Sequence, residues 1–532
     1  MVKPIRLASS FLTVSFWTLL SRIFGLVRDV MIAAYLGAGA VSDAFYVAFS
    51  LPNMFRRIFA EGAFGLAFVP MFAKKAQSGE DPEGFARDAF SGMAFVLVIF
   101  TVIGTLAMPL LVWAMASGFA EDERFDMAVT FGRITFVYIL FISLTALISG
   151  VLNGLGRFTA AAAAPVLLNF VFIASLLVSQ VVGRDASEVL GFGVDAALGL
   201  PVGVTLALSV PLGGLAQLAL VWWAARRAGY SFRLKRPRLT PDLRRLLVIA
   251  VPAVFAGGIV QINLIIGRQV ASYSEAAISW LNNADRLYQL PLGMVGVAIG
   301  VVLLPELSRR QAARDDAGAQ ASLSRATEFS LLFTVPASIA LVIACMPVTS
   351  VLYQRGAFTS DDTASTALAV AIYGAGLPAF VLQKVWQPVF YAREDTKTPF
   401  RLALWSLVVN AACAFGLAPF IGWVAAAIAT TLAGWVMLVM LVIRARPLGE
   451  AVRLDARARR RLPRIVLAGI IMGALVFGAM VLLNPAFAPG GAARYLALLA
   501  LVIVGAAGFF GSAQALGAFS FGDVRAALRR RA

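Results

Sequence analysis

Ser21-Arg22-Ile23-Phe24-Gly25-Leu26-Val27-Arg28-Asp29 sets two guanidinium groups inside the first apolar segment of the chain. Leu51-Pro52-Asn53-Met54-Phe55-Arg56-Arg57-Ile58-Phe59-Ala60-Glu61-Gly62 does the same in the next. An arginine held at bilayer depth costs about 2.5–3.5 kcal/mol on insertion scales, so such residues persist where they face a wet cavity and meet an anion. These stretches describe a membrane protein built around an internal cationic site.

Composition points the same way. The chain has 532 residues, 60% of them hydrophobic and 14% charged, with a mean hydropathy of +0.85. Those values belong to polytopic membrane proteins. The formal charge of +17 is spread as punctuation between apolar runs and forms no single stripe. That argues against nucleic acid as a partner and for anionic membrane lipids or an anionic substrate. Histidine is absent, which excludes His-based zinc sites, Ser-His triads and His proton relays. Cys345 and Cys413 lie within apolar runs and read as small buried side chains. No carboxylate pair, nucleophile–base set or metal cluster stands out, so no catalytic residues, no metal and no cofactor are expected. No Gly-Lys dipeptide occurs, and a Walker A loop is excluded with it. Met1 to Leu20 lacks a small-residue cleavage site and reads as the start of a retained membrane helix.

A spanning helix needs about 20 apolar residues, and on that criterion the chain holds about fourteen. They run roughly 7–36, 43–73, 89–117, 127–153, 160–183, 196–226, 243–271, 277–307, 326–353, 366–391, 399–419, 422–444, 464–484 and 493–517. Loops after even-numbered spans are basic, as in Lys74, Lys75 and Arg87, Arg157, Arg309 to Arg314, and Arg393 to Arg401. Loops after odd-numbered spans are short or acidic, as in Glu121-Asp122-Glu123. The positive-inside rule then puts both termini in the cytoplasm. The expected fold is all-α: two lobes of about six helices around a central cationic cavity, plus a C-terminal helix pair. The divisions are 1–226 for the N-lobe, 227–242 for a basic cytoplasmic linker and 243–444 for the C-lobe. A second basic linker, 445–463, precedes the last pair and basic tail, 464–532. Phe45 and Pro70 in span 2 are separated as Trp280 and Pro305 are in span 8, a faint echo between the lobes.

Several polar residues interrupt these spans. Asn53, Arg57 and Glu61 are spaced i, i+4, i+8 and share a helix face, so Arg57 and Glu61 can neutralise each other. Arg56 points about 100° away and has no acid one turn along its own helix. Asp43 follows Ser42 at the start of span 2, where helix capping explains one of the two. Arg28, near a span end, can snorkel, whereas Arg22 has apolar residues on both sides. In the second lobe Asp285 and Arg286 are adjacent and point in different directions. Lys384 adds another intramembrane cation from span 10. Guanidinium groups match phosphate oxygens in bidentate geometry, which makes a phosphate or diphosphate the natural ligand for this surplus.

These residues resemble the MviN/MurJ family, the lipid II flippases of the multidrug/oligosaccharidyl-lipid/polysaccharide exporter superfamily. The resemblance is carried by Ser21-Arg22 through Arg28-Asp29, Ser42-Asp43-Ala44-Phe45 and Leu51-Pro52-Asn53 through Ala63-Phe64. Ala67-Phe68-Val69-Pro70, Ala284-Asp285-Arg286-Leu287 and Asp395-Thr396-Lys397-Thr398-Pro399 extend it over nearly the whole chain. One departure is Asn282-Asn283, where family members often carry tyrosines. The resemblance implies a flippase that moves undecaprenyl-diphosphate-linked peptidoglycan precursor from the cytoplasmic to the periplasmic leaflet of the bacterial inner membrane. It implies that Arg22, Arg28, Arg56 and Arg286 hold the diphosphate, and that Asp43, Asn53, Arg57, Glu61, Asp285 and Lys384 serve the cavity or its gating. Alternating access coupled to the membrane potential or a monovalent cation follows, with lipid II as partner and cell-wall synthesis or divisome proteins as further ones. Rival readings are an exporter of another polyprenyl-diphosphate-linked glycan, a membrane-embedded polyprenyl-phosphate enzyme and a non-transporting scaffold.

Overall fold

The computed structural model describes residues 7–57, 65–181, 200–236, 239–488 and 491–519, and among these the regular structure is helical with no strand. Contacts divide the chain into two compact units, Met1–Ser279 and Trp280–Ala532. The first contains α1 (Leu7–Leu36), α2 (Ala40–Arg56), α3 (Gly65–Ser78), α4 (Pro82–Leu106) and α5 (Met108–Met115). It continues through α6 (Arg124–Phe136), α7 (Tyr138–Gly154), α8 (Thr159–Val181), α9 (Leu200–Arg227) and α10 (Pro241–Ala271). The boundary falls in the first turn of α11 (Ala277–Ala312). The second unit holds the rest of α11 with α12 (Asp316–Ile343), α13 (Cys345–Tyr353), α14 (Ser360–Tyr391) and α15 (Lys397–Ile421). It closes with α16 (Val424–Ala445), α17 (Ala456–Leu483) and α18 (Ala493–Ala515).

Ten helical segments among the described residues are long and apolar enough to cross a membrane. The expected spans outside those ten are 7–36, 43–73, 243–271 and 277–307, the same segments that hold Arg22, Arg28, Arg56, Arg268 and Arg286. Two spans expected to be continuous are broken by proline. Pro109 has no N–H for the carbonyl of Thr105, and α4 gives way to α5 at Ala107; Pro347 has none for Ile343, and α12 gives way to α13 at Ala344.

In the first unit, Phe45 and Phe49 of α2 stack at 5.8 Å between ring centroids and meet Phe172 of α8 edge-on. Phe45 and Phe172 are fully buried, and packed aromatics of this kind dominate the energetics of a core. A Cβ on Gly214 of α9 would lie 2.6 Å from the Tyr138 ring, so only glycine lets α9 approach α7 there. Helix α10 belongs with this unit through polar bonds at its end. The Gln269 amide donates to the carbonyl of Trp113 and accepts from Ser117, while Ser272 Oγ accepts from the Gly118 N–H at 3.0 Å.

In the second unit, Thr359 and Asp362 form a reciprocal cap at the start of α14. The same Asp362 carboxylate accepts from Trp280 Nε1 at 2.9 Å. The C-terminal pair α17 and α18 shares a buried apolar cluster with α12, built from Val335, Ile465, Met472, Val476, Leu501 and Phe509.

Candidate functional site

Two buried polar centres organise the first unit. At one, Arg28 is 6% exposed and Asp29 is 1% exposed. Arg28 donates through Nε and Nη2 to Asp29 Oδ1 at 2.9 and 2.7 Å, and through Nη1 to Asn169 Oδ1 at 2.9 Å. Its guanidinium lies 5.2 Å from the Phe172 ring centroid. The Asn169 amide donates in turn to the carbonyl of Ser21, tying α8 to α1. Arg28 therefore does not snorkel: its charge is met inside the unit by a carboxylate, an amide and an aromatic face.

At the other centre, Asp43 is fully buried at the start of α2. Its Oδ1 accepts from the Ser279 main-chain N–H at 2.9 Å and from the Ser279 hydroxyl at 2.6 Å. Arg124 approaches Oδ2 at 3.7 Å, is itself held by Asp122 and stands 4.4 Å from the Phe119 ring centroid. Ser42 takes the local task, accepting from the Gly39 N–H at 2.9 Å. Of the two adjacent residues, capping accounts for Ser42. Asp43 serves the first turn of α11, where Ala276, at φ 67°, brings no side chain able to accept from the orphan N–H groups.

The remaining expected site residues are distributed as follows. Arg22 is half-buried on α1, and no hydrogen bond or ion pair reaches it from the described residues. Asn53 is half-buried and donates to the carbonyl of Phe49 at 2.9 Å. Arg56 is half-buried in the last turn of α2, and Arg57, next in sequence, is exposed. Glu61 lies outside the described residues, and with it the expected Arg57–Glu61 pair. In the second unit, Arg286 and Asp285 are half-buried on α11, and Asp285 accepts from Gln289 one turn on. Lys384 is exposed on α14.

Asn169, Arg124 and Ser279 complete these two polar centres, and reading the spans did not single them out. Asn169 is the lone amide in Val166-Leu167-Leu168-Asn169-Phe170-Val171, and that isolation is the signal that could have found it. Ser279 carries no comparable mark.

Among the described residues the chain is all-helical, built of two units with ten segments long and apolar enough to cross a membrane, which makes it a polytopic helical membrane protein. Its fold is similar to an inward-facing multidrug resistance MATE family transporter of the MOP superfamily, with a TM-score of 0.64 over 81% of this chain and 95% of that one at 15% identity. It is also similar to the inward closed conformation of a lipid II flippase MurJ, with a TM-score of 0.76 over 94% of this chain and 98% of that one at 24% identity. The sequence narrows the class. The lipid II flippase MurJ family model matches residues 32–498. The chain is 43% identical to a probable lipid II flippase MurJ of Rhizobium meliloti (strain 1021), over 99% of this chain and 97% of that protein. It is 39% identical to a lipid II flippase MurJ of Burkholderia cenocepacia over 78% of each. The chain belongs to the lipid II flippase MurJ family.

Proposed function

We propose that this chain is a lipid II flippase, carrying undecaprenyl-diphosphate-linked peptidoglycan precursor from the cytoplasmic to the periplasmic leaflet of the bacterial inner membrane. The match at 43% identity over nearly the full length of a relative named for that activity carries the reading. Arg22 supports the chemistry of the site. A half-buried guanidinium that no counter-charge reaches from the described residues, on a helix the sequence reads as a span, is poised for an anion, and a diphosphate supplies two sets of bidentate acceptors. Arg56 and Arg286 are the further cations that the family resemblance assigns to the diphosphate. Arg28, whose charge is already met by Asp29, fixes α1 against α8.

Movement follows alternating access, and the substrate drives it only by binding the two states unequally. The protein carries out no covalent chemistry, and its precursor leaves unmodified. Both termini face the cytoplasm, as the basic loops require, and transport draws on the membrane potential or a monovalent cation. The test is reconstitution in vesicles with labelled lipid II in one leaflet, followed with and without an imposed potential. Appearance of unmodified precursor in the opposite leaflet, abolished by Arg22→Ala, is the expected result. A chemically altered product would establish the enzyme reading instead, and no protein-dependent transfer under either condition would overturn the proposal.

A further inference from the structure

Near the N-terminal end of α1, the first unit carries a cavity of about 620 Å³. Thr13 and Trp17 of α1, the turn between α7 and α8, and the last turns of α9 line it. Two cations stand in the lining, Arg157 and Arg227, and no acidic residue is among the described residues there. Neither arginine makes a salt bridge among the described residues. The structure nevertheless draws them to one place. Arg157 Nη1 donates to the main-chain carbonyl of Arg227 at 3.4 Å, and the Arg227 guanidinium is set 4.0 Å from the Trp223 ring centroid. Two like charges gathered without a carboxylate repel each other, and an anion between them relieves that repulsion.

The position says which anion. Arg157 lies in the turn between Arg124–Gly154 and Thr159–Ser179, and Arg227 ends Val202–Arg227, three segments long and apolar enough to cross a membrane. The cavity is therefore at a membrane interface, where tryptophan characteristically sits, and Trp17 and Trp223 both line it. Beside it, Phe16 and Leu19 of α1 are exposed, giving an apolar surface continuous with the hydrocarbon layer. The Thr159 hydroxyl, at the start of α8, adds a polar group suited to phosphate and glycerol oxygens.

We propose that this cavity is a binding site for an anionic phospholipid, separate from the transported substrate. The headgroup phosphate sits between Arg157 and Arg227, and the acyl chains lie along Phe16 and Leu19. Loop charge assigns the lipid to the cytoplasmic leaflet. The occupant is a membrane lipid and not a free phosphate, because the aromatic and apolar walls contribute only to a ligand with hydrocarbon.

Native mass spectrometry of the full chain in detergent, titrated with phosphatidylglycerol, tests this. Arg157→Gln/Arg227→Gln weakens retention of one phosphatidylglycerol about thirtyfold, as expected for two basic contacts with an anionic lipid. Arg233→Gln/Arg236→Gln removes the same charge from exposed linker residues and leaves retention as in the parent chain. Arg157→Lys/Arg227→Lys keeps most of it. Phosphatidylcholine is held no better by the parent chain than by the double glutamine variant. Should that variant fail to fold, Ala163→Phe, which fills the cavity with both arginines in place, loses the same retention. Equal retention by the parent chain and the cavity variants overturns the proposal. So does equal preference for phosphatidylcholine, or displacement of the lipid by glycerol phosphate at matched concentration.

Discussion

Asp43 Oδ1 caps the first turn of α11 from a position 236 residues earlier in the chain, accepting both the N–H and the hydroxyl of Ser279. Removing the carboxylate leaves a buried N–H, a buried hydroxyl and the Arg124 guanidinium without that acceptor. Orphaning a buried donor costs about 1–3 kcal/mol. Asp43→Ala should lower the thermal unfolding midpoint in detergent clearly, and Asp43→Asn, which keeps one carbonyl oxygen for Ser279, should lower it less. Equal midpoints for all three proteins would remove the cap from the account.

Arg22 and Arg28, six residues apart on one helix, should respond in opposite ways to truncation. Arg22 has no bond to lose among the described residues, so Arg22→Ala should change the unfolding midpoint little, within the roughly 0.5 kcal/mol typical of such sites. A charge-assisted contact to phosphate is worth about 1.5–3 kcal/mol, so the same variant should bind lipid II roughly tenfold to a hundredfold more weakly. Growth of a flippase-depleted strain carrying the variant, read beside binding and the midpoint, separates the effects. Normal growth at normal expression would exclude Arg22 from the substrate site.

The contrast between these arginines shows where sequence reading works and where it stops. Hydropathy placed the C-terminal end of the first span at residue 36, where α1 ends before Gly37 at φ 69°. Helical spacing could also ask whether Arg56 or Arg57 has an acid on its own helix. It could not find Asn169, 141 residues from Arg28, or Ser279, because nothing local marks a partner supplied by a distant helix. For the same reason Arg28 looked available to solvent in the sequence and is paired in the fold. The breaks at Ala107 and Ala344 were legible in Pro109 and Pro347 but were absorbed into long apolar windows.

Asn169→Leu tests the pairing of Arg28 directly. Leucine has about the right volume but accepts no hydrogen bond, so Arg28 Nη1 and the Ser21 carbonyl both lose their contact with α8. The expected loss is about 1–3 kcal/mol, seen as a lower unfolding midpoint. Asn169→Asp should restore the acceptor for Arg28 but not the donor for Ser21, giving an intermediate value. A midpoint unchanged by Asn169→Leu would mean that the Asp29 carboxylate alone suffices to hold Arg28.

The turn between α14 and α15 gives a prediction in pH. The Asp395 carboxyl is held below the usual carboxylate range by bonds from the hydroxyl and main-chain N–H of Thr398, the latter at 2.9 Å. These bonds favour the ionised form in the folded state. Their stabilisation is fully present above the unfolded carboxyl value near 3.8 and is lost as pH falls through the lower folded value. Asp395→Asn can still accept from the Thr398 N–H but has no charge to titrate. The variant should therefore be less stable than the parent near neutrality, and the gap should close progressively as pH is lowered below about 4. Unfolding midpoints measured from pH 7 down to the acid limit would follow this. A gap that stays constant across that range would show that the bonds to Thr398 do not discriminate between the charged and neutral carboxyl.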